Sequence, residues 1–251
     1  MSDTLAIIGG TGLTRLPGLR IRDAHDIQTP YGSPSGSVLE GVFGDSRIFF
    51  LARHGHPHRI PPHQVNYRAN IWALRHIGAR DIISVNAVGG INRSMPTRAL
   101  CIPDQIIDYT HGRESTFYDG VDSPVVHVDF SYPYTEVLRS QLLVAAKAVK
   151  VPVVNGGVYG ATQGPRLETA AEIARMERDG CDIVGMTGMP EAVLAREAKM
   201  GYACLSLVVN PAAGKAKGVI TIKEIDRALE GGMEDIRKIL VSYVERFVVG
   251  H

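Results

Sequence analysis

Ser84-Val85-Asn86-Ala87-Val88-Gly89-Gly90 closes an apolar run that begins at Asp81, and its reading decides the fold. A strand whose end carries a polar residue and two glycines is the place where open α/β sheets display groups to a ligand. Outward from it, short apolar runs ending in Gly-rich or polar turns recur, as expected of strands covered on both faces. Strands are predicted over 5–8, 46–51, 81–87, 99–107, 155–160, 183–186 and 203–209. Helical periodicity lies between them, over 66–77, 135–149, 169–179, 191–200 and 222–248, with a break expected near Gly231-Gly232. Thr169 reads as an N-cap with Glu172 completing a capping box, and the Gly/Pro/Ser-rich run from Thr29 to Ser37 reads as a surface loop. This alternation predicts a single-domain α/β/α sandwich over 1–251 with a central mixed β-sheet.

Composition narrows the function. A hydrophobic content of 45% in 251 residues is enough for a real core. A formal net charge of +1 shows no bias toward nucleic acid or a membrane surface, so a small-molecule partner is expected. Cys101, Cys181 and Cys204 are odd in number, far apart and set in apolar runs, which predicts buried free thiols in a reducing cytoplasm. No apolar run approaches the roughly 20 residues of a spanning helix, and the N-terminus lacks the basic and apolar regions of a signal peptide.

Three small-residue corners sit beside donors. Gly9-Gly10-Thr11-Gly12 follows the first strand, Arg53-His54-Gly55 the second, and Gly185-Met186-Thr187-Gly188 a later one. Backbone N–H groups in such turns close around an oxyanion, and an arginine adds a planar fork for two of its oxygens. Arg53 and His54 are therefore read as a phosphate clamp, with Asn86 and the Ala87 amide as further contacts. The same stretch places His54, His56, His58 and His63 close together, a spacing that alternating imidazoles on one metal ion could also use. Against that, the chain has no HExxH and no cysteine pair. The glycine run lacks the third glycine of a dinucleotide fingerprint and the Gly-Lys-Ser/Thr of a P-loop. Glu168 precedes a helix and Asn210 ends an apolar run, and both are candidates for ligand contact.

Taken in order, Gly9 to Gly12, Arg53-His54-Gly55, Asn66-Tyr67-Arg68-Ala69-Asn70, Asn86-Ala87, Gly164-Pro165-Arg166 and Gly185-Met186-Thr187 with Pro190-Glu191 resemble the trimeric purine nucleoside and methylthioadenosine phosphorylases. The likeness runs from about Ala6 to about Val248. It implies a cytosolic homotrimer with shared active sites, in which inorganic phosphate is a co-substrate that cleaves an N-glycosidic bond without cofactor or metal. By position it assigns Thr11, Arg53, His54, Asn86, Ala87 and Thr187 to phosphate, and Met186 to the ribose. It assigns Leu167, Glu168 and Asn210, with Pro211 and Ala212 beside them, to the base. His127 falls in the segment that reaches a neighbouring subunit's site. Asn210, His54 and Glu168 are the catalytic candidates.

Substrate choice follows from hydrogen-bond logic. An ionised Glu168 only accepts, which suits the N1–H of a 6-oxopurine, and the Asn210 amide can meet O6 or N7. Adenine-preferring relatives resemble one another in carrying aspartate where this chain has Asn210, and usually again where it has Ala212. Relatives acting on ordinary nucleosides use a histidine for the 5′-hydroxyl, yet no histidine stands between His127 and His251 here. The matching region, Gly218-Val219-Ile220-Thr221-Ile222, is apolar and predicts a wall for a methylthio group centred on Ile222. The expected substrate is thus a 5′-methylthio nucleoside of a 6-oxopurine. The alternatives are its 6-aminopurine counterpart and the plain nucleosides inosine and guanosine.

Overall fold

The computed structural model describes residues 4–14, 16–121 and 123–249. The strands in chain order are β1 Leu5–Gly9, β2 Leu19–His25, β3 Val38–Phe43, β4 Ser46–Ala52, β5 Asp81–Gly90, β6 Leu100–Ile102, β7 Gln105–Asp108, β8 Val154–Asn155, β9 Val158–Ala161, β10 Ile183–Gly185 and β11 Gly201–Pro211. The helices are α1 Tyr67–His76, α2 Glu136–Ala148, α3 Ala170–Arg178, α4 Gly188–Glu197 and α5 Ile222–Phe247. All the strands join one mixed sheet whose main path runs β2-β3-β4-β1-β5-β10-β9-β7, with β11 on β5, β6 on β11 and β8 on β6.

Helices cover both faces, which makes the α/β/α sandwich. Ile71, Ala73 and Leu74 of α1 and Ala192, Leu194 and Ala195 of α4 pack with Phe49, Ile82 and Tyr202 in one core. Leu138 and Leu142 of α2 and Ile236, Ile239 and Leu240 of α5 pack with Ile7, Ile48 and Leu205 in the other. The caps follow the local rules: Asn66 accepts from the Ala69 amide ahead of α1, and Thr169 with Glu172 forms a capping box ahead of α3. Thr221 and Glu224 do the same for α5.

Strand β5 positions the functional region. Its first residues pair in parallel with β1, ending at Ile8 with Ser84, while its last two, Gly89 and Gly90, pair antiparallel with Val184 and Ile183 of β10. The opposite edge is covered throughout by β11. Among the described residues, Val85 to Val88 therefore have one edge without a strand partner, and Ala87 is exposed in the middle of a central strand. Backbone donors and acceptors left on such an edge need another partner.

Several elements differ from the sequence reading. Strands β2 and β3 were not expected: β2 is mostly exposed and charged, and β3 is interrupted by Gly41, so neither carries an apolar run. The strand predicted over 99–107 is two, β6 and β7, split by Pro103 and Asp104 and paired to different neighbours. Gly156 and Gly157, both at positive φ, likewise divide β8 from β9. Helix α5 runs unbroken through Gly231 and Gly232, because Gly232 lets it lie directly against Leu207 of β11 and a side chain there would collide. Among the described residues no helix is long and apolar enough to cross a membrane. The three cysteines are free and buried, as the sequence suggested.

The two glycines of α5 should respond oppositely to alanine. At Gly232 overpacking against Leu207 costs about 1–3 kcal/mol, more than the helix-propensity gain of about 1 kcal/mol. At Gly231 the added Cβ meets only the far end of the Arg98 side chain, at 3.2 Å, whose Nη2 donates to the Gly231 carbonyl. Thermal unfolding should place Gly232→Ala below the parent and Gly231→Ala level with or above it.

Candidate active site

A cavity of about 870 Å³ opens beside the unpaired stretch of β5. Its floor is Val85 to Gly89 with Gly9 and Gly10, its polar walls include Arg53, His54, Thr187, Glu168 and Asn210 with the apolar Met186 among them, and its far end is apolar. The sequence-predicted phosphate and base residues are thus brought together, although they lie up to 200 positions apart in the chain. The backbone of Thr11 belongs to the one-turn 3-10 segment Thr11–Thr14 at the end of β1, but its side chain lies outside the described residues.

Arg53 is 2% exposed and faces Glu191, which is 0% exposed. Nε donates to Glu191 Oε2 at 2.7 Å and Nη2 to Oε1 at 2.8 Å, while Nη2 also donates to Ser84 Oγ at 2.6 Å and Nη1 to the Val85 carbonyl at 3.2 Å. The bond to Val85 satisfies one of the open acceptors on β5. This corrects the clamp expected from sequence. A guanidinium has five N–H donors, and four are engaged within the protein, so the planar fork grips Glu191 and a single N–H of Nη1 remains for a ligand. Burial works to lower the Arg53 pKa, but the adjoining carboxylate outweighs it and holds the group above its ordinary value. Glu191 also accepts from Ser84 Oγ at 2.7 Å and from Tyr202 Oη at 2.9 Å, a set that makes the ion pair self-contained.

His54 is also corrected. Its Nδ1 lies 2.8 Å from the Ile60 carbonyl, which can only accept, so Nδ1 carries the proton and Nε2 is left as an acceptor. The ring stacks on His58 with centroids 4.4 Å apart. Burial, then the Arg53 charge, lowers its pKa to about 4. At neutral pH the imidazole is uncharged, so it accepts from a protonated phosphate oxygen or a hydroxyl and is not the third donor expected. Among the described residues, no three His, Cys, Asp or Glu side chains gather in ligand geometry, the other histidines of this turn included.

Asn86 is held from behind, its Nδ2 donating to Cys204 Sγ at 3.2 Å. Thr187 stands between β10 and α4 without a side-chain capping bond, its amide donating to Tyr159 Oη at 3.4 Å and its hydroxyl bonded to the same phenol. Met189 is extended and Pro190 carries no N–H, so the regular turns of α4 begin beyond them and Thr187 belongs to the turn that follows β10. Glu168 Oε1 accepts from Thr162 Oγ1 at 2.6 Å, which fixes one oxygen and leaves the other for a ligand. Asn210 Nδ2 donates to the Pro211 carbonyl at 2.7 Å, which turns Oδ1 outward as an acceptor. Ala212 is buried at the cavity wall, and Leu167 and Met186 line it. Pro211 is absent from the lining and contributes the carbonyl that orients Asn210.

Ile222 and His127 do not reach the cavity either. Ile222 is 69% exposed, because it is the first residue of α5 and points outward. The apolar end is built instead by Ile220 and by Ile225, Leu229, Met233 and Ile236, residues on one face of that helix. His127 is exposed and does not line the cavity of its own chain. Sequence reasoning missed Glu191, Ser84 and Thr162 as the groups that orient the site, and also Arg59, an exposed cation on the cavity wall. The helical spacing of the apolar residues 225, 229, 233 and 236 was the available signal for the helix face.

A model of the phosphorylase superfamily matches residues 4–245, and the chain belongs to that family. It is 59% identical over 235 residues to a probable S-methyl-5′-thioinosine phosphorylase of Pseudomonas syringae pv. tomato, covering 94% of this chain and 96% of that protein. It is 45% identical over 245 residues to a 6-oxopurine nucleoside phosphorylase of Pyrococcus furiosus, covering 96% and 91%. Among solved structures, a methylthioadenosine phosphorylase of Schistosoma mansoni in complex with adenine superposes with a TM-score of 0.92 at 32% identity, covering 99% of this chain and 93% of that one.

Removing one partner of the buried pair leaves the other charge uncompensated. Glu191→Ala should lower unfolding free energy by about 3–5 kcal/mol in denaturant titration, whereas a loss under about 1 kcal/mol would show the pair to be dispensable. His54 binds its proton less readily in the folded chain than in the unfolded one. It therefore favours folding above pH 6.5, and that contribution disappears as pH falls toward about 4. His54→Asn, which keeps a donor for Ile60, should flatten the stability profile across that window.

Proposed function

We propose that the chain catalyses phosphorolysis of S-methyl-5′-thioinosine, releasing hypoxanthine and 5-methylthioribose 1-phosphate. The observation that carries this reading is one cavity holding the three chemistries that the two substrates require. Phosphate-type donors lie on the β5 floor and in the Thr187 turn after β10, hydrogen-bonding groups for a purine edge at Glu168 and Asn210, and an apolar end on α5. The 59% identity to the Pseudomonas protein supports the same substrate.

In this reading phosphate rests on the Ala87 and Thr187 region, with Asn86, Thr11, the remaining Arg53 N–H and His54 Nε2 around it. A phosphate oxygen approaches C1′ as the C1′–N9 bond lengthens, and the sugar gains oxocarbenium character that the anion stabilises. The bonding pair passes to the purine, whose N7 takes a proton from solvent and presents it to Asn210 Oδ1. Glu168 accepts N1–H and so matches hypoxanthine. Adenine offers a lone pair at N1, which would leave two acceptors facing each other and cost about 1–3 kcal/mol. A methylthio group against Ile225, Leu229 and Met233 is favourable by about the same amount, whereas a bare hydroxyl there would lose its water partners. No group in this scheme requires a cofactor or metal.

The likeness to the Schistosoma enzyme makes methylthioadenosine the second candidate, and the Pyrococcus relative makes inosine and guanosine the third. We also propose a cytoplasmic homotrimer: Val121, Val125, Val126 and Tyr132 are exposed apolar side chains on the same segment as His127, a face suited to a second copy.

Phosphate-dependent turnover should rank methylthioinosine above methylthioadenosine and inosine, by about 10-fold or more in kcat/KM. Highest turnover of methylthioadenosine would overturn the roles of Glu168 and Asn210. Highest turnover of inosine would overturn that of the α5 wall. Asn210→Asp should move preference toward 6-amino substrates, and unchanged selectivity would remove Asn210 from the base site.

A further inference from the structure

We infer that Arg113 is a positioning residue that locks the purine-edge loop and the sugar-phosphate turn into one register. Arg113 lies outside the cavity lining, in the irregular stretch between β7 and α2. Its Nη1 donates to the carbonyls of Met186 at 2.8 Å and Met189 at 2.5 Å. Its Nη2 donates to the carbonyls of Thr162 at 3.2 Å and Gln163 at 2.8 Å, and Nε donates to Gln163 Oε1 at 3.2 Å. All five N–H groups are thereby placed. The guanidinium packs over the Tyr67 ring, 5.4 Å from its centroid, and Tyr67 Oη is itself anchored to the Pro62 carbonyl at 2.9 Å.

The four carbonyls belong to two segments that ordinary sheet bonding does not secure. Strands β9 and β10 pair as far as Ala161 with Gly185, and one more bond, from the Thr162 amide to the Gly185 carbonyl at 2.8 Å, ends the ladder. Beyond it the first segment carries Thr162, which orients Glu168, and the second carries Met186 and Thr187 into α4. Arg113 bridges the two where the ladder stops. A planar fork with five donors can serve four carbonyls and an amide oxygen at once. A lysine, with three donors on one nitrogen, cannot.

The consequence is geometric. Glu168 must meet N1–H while phosphate stays aligned with C1′ at the other end of the same rigid substrate, and a misplacement of about 1 Å costs on the order of 100-fold in rate. The inference rests on the reading of Glu168 as the acceptor at the base edge.

Arg113→Ala and Arg113→Lys should each lose about 100-fold in kcat/KM for methylthioinosine and narrow its advantage over methylthioadenosine. Both variants should also show a raised KM for phosphate. Guanidinium ion at low millimolar concentration should restore Arg113→Ala at least about 10-fold, and methylammonium should not. The lysine variant keeps the charge and stem, so selectivity can still be read should the alanine variant not fold. Wild-type kinetics and selectivity in folded Arg113→Lys would overturn the inference. So would an equal loss on every substrate in folded Arg113→Ala that guanidinium leaves unchanged. Glu168→Gln in the same assay separates the two readings. If its selectivity is unchanged, the base-edge reading itself falls. If Glu168→Gln is impaired while both Arg113 variants behave as the parent, only the role of Arg113 falls.

Discussion

Four residues of a central strand, Val85 to Val88, have a backbone edge that no other strand among the described residues covers, and the rest of the site answers that deficit. Polar backbone cannot stay buried without partners. Part of the edge is satisfied by Arg53 through the Val85 carbonyl, and part faces the cavity, where Ala87 is open. The sheet exchanges β1 for β10 along β5, and the gap between them is the floor on which an anion can sit. Gly9 and Gly10 at the end of β1 and the N-terminus of α4 after β10 border the same gap because their strands flank it.

Electrostatics at this floor rests less on free cations than the residue types suggest. The Arg53 charge is matched by Glu191, and His54 is neutral. What remains is a field of oriented dipoles: the strand-edge amides, the Asn86 amide fixed by Cys204, and the Thr187 hydroxyl fixed by Tyr159. Such groups are already ordered when the anion arrives, so little reorganisation is needed as charge moves during bond cleavage. Tyr202 and Ser84 complete the carboxylate's hydrogen bonds and keep the pair from rearranging.

Much of the architecture was legible in the sequence because its signals are local. The five helices begin and end within a few residues of where periodicity and capping placed them, and the corners after β1, β4, β5 and β10 announced themselves as glycines beside donors. The hairpin of β2 with β3 escaped because an exposed edge strand has no reason to be apolar. Arg53 was located correctly but its orientation was not: whether a guanidinium faces a ligand or a carboxylate 138 positions away is a tertiary fact. Ile222 was misjudged for a simpler reason, since the rotation of a helix at its first residue depends on how its later turns dock.

The division of labour around the cavity has an evolutionary side. The apolar end of the cavity, to which the proposed reading gives the 5′ substituent, comes almost wholly from a single helix, α5, while the groups it gives to the base come from the end of β11 and the loop before α3. These two recognitions share no side chain. On that reading, a descendant of this chain exchanges one taste for another at either end of the nucleoside by a few substitutions, without disturbing the β5 floor.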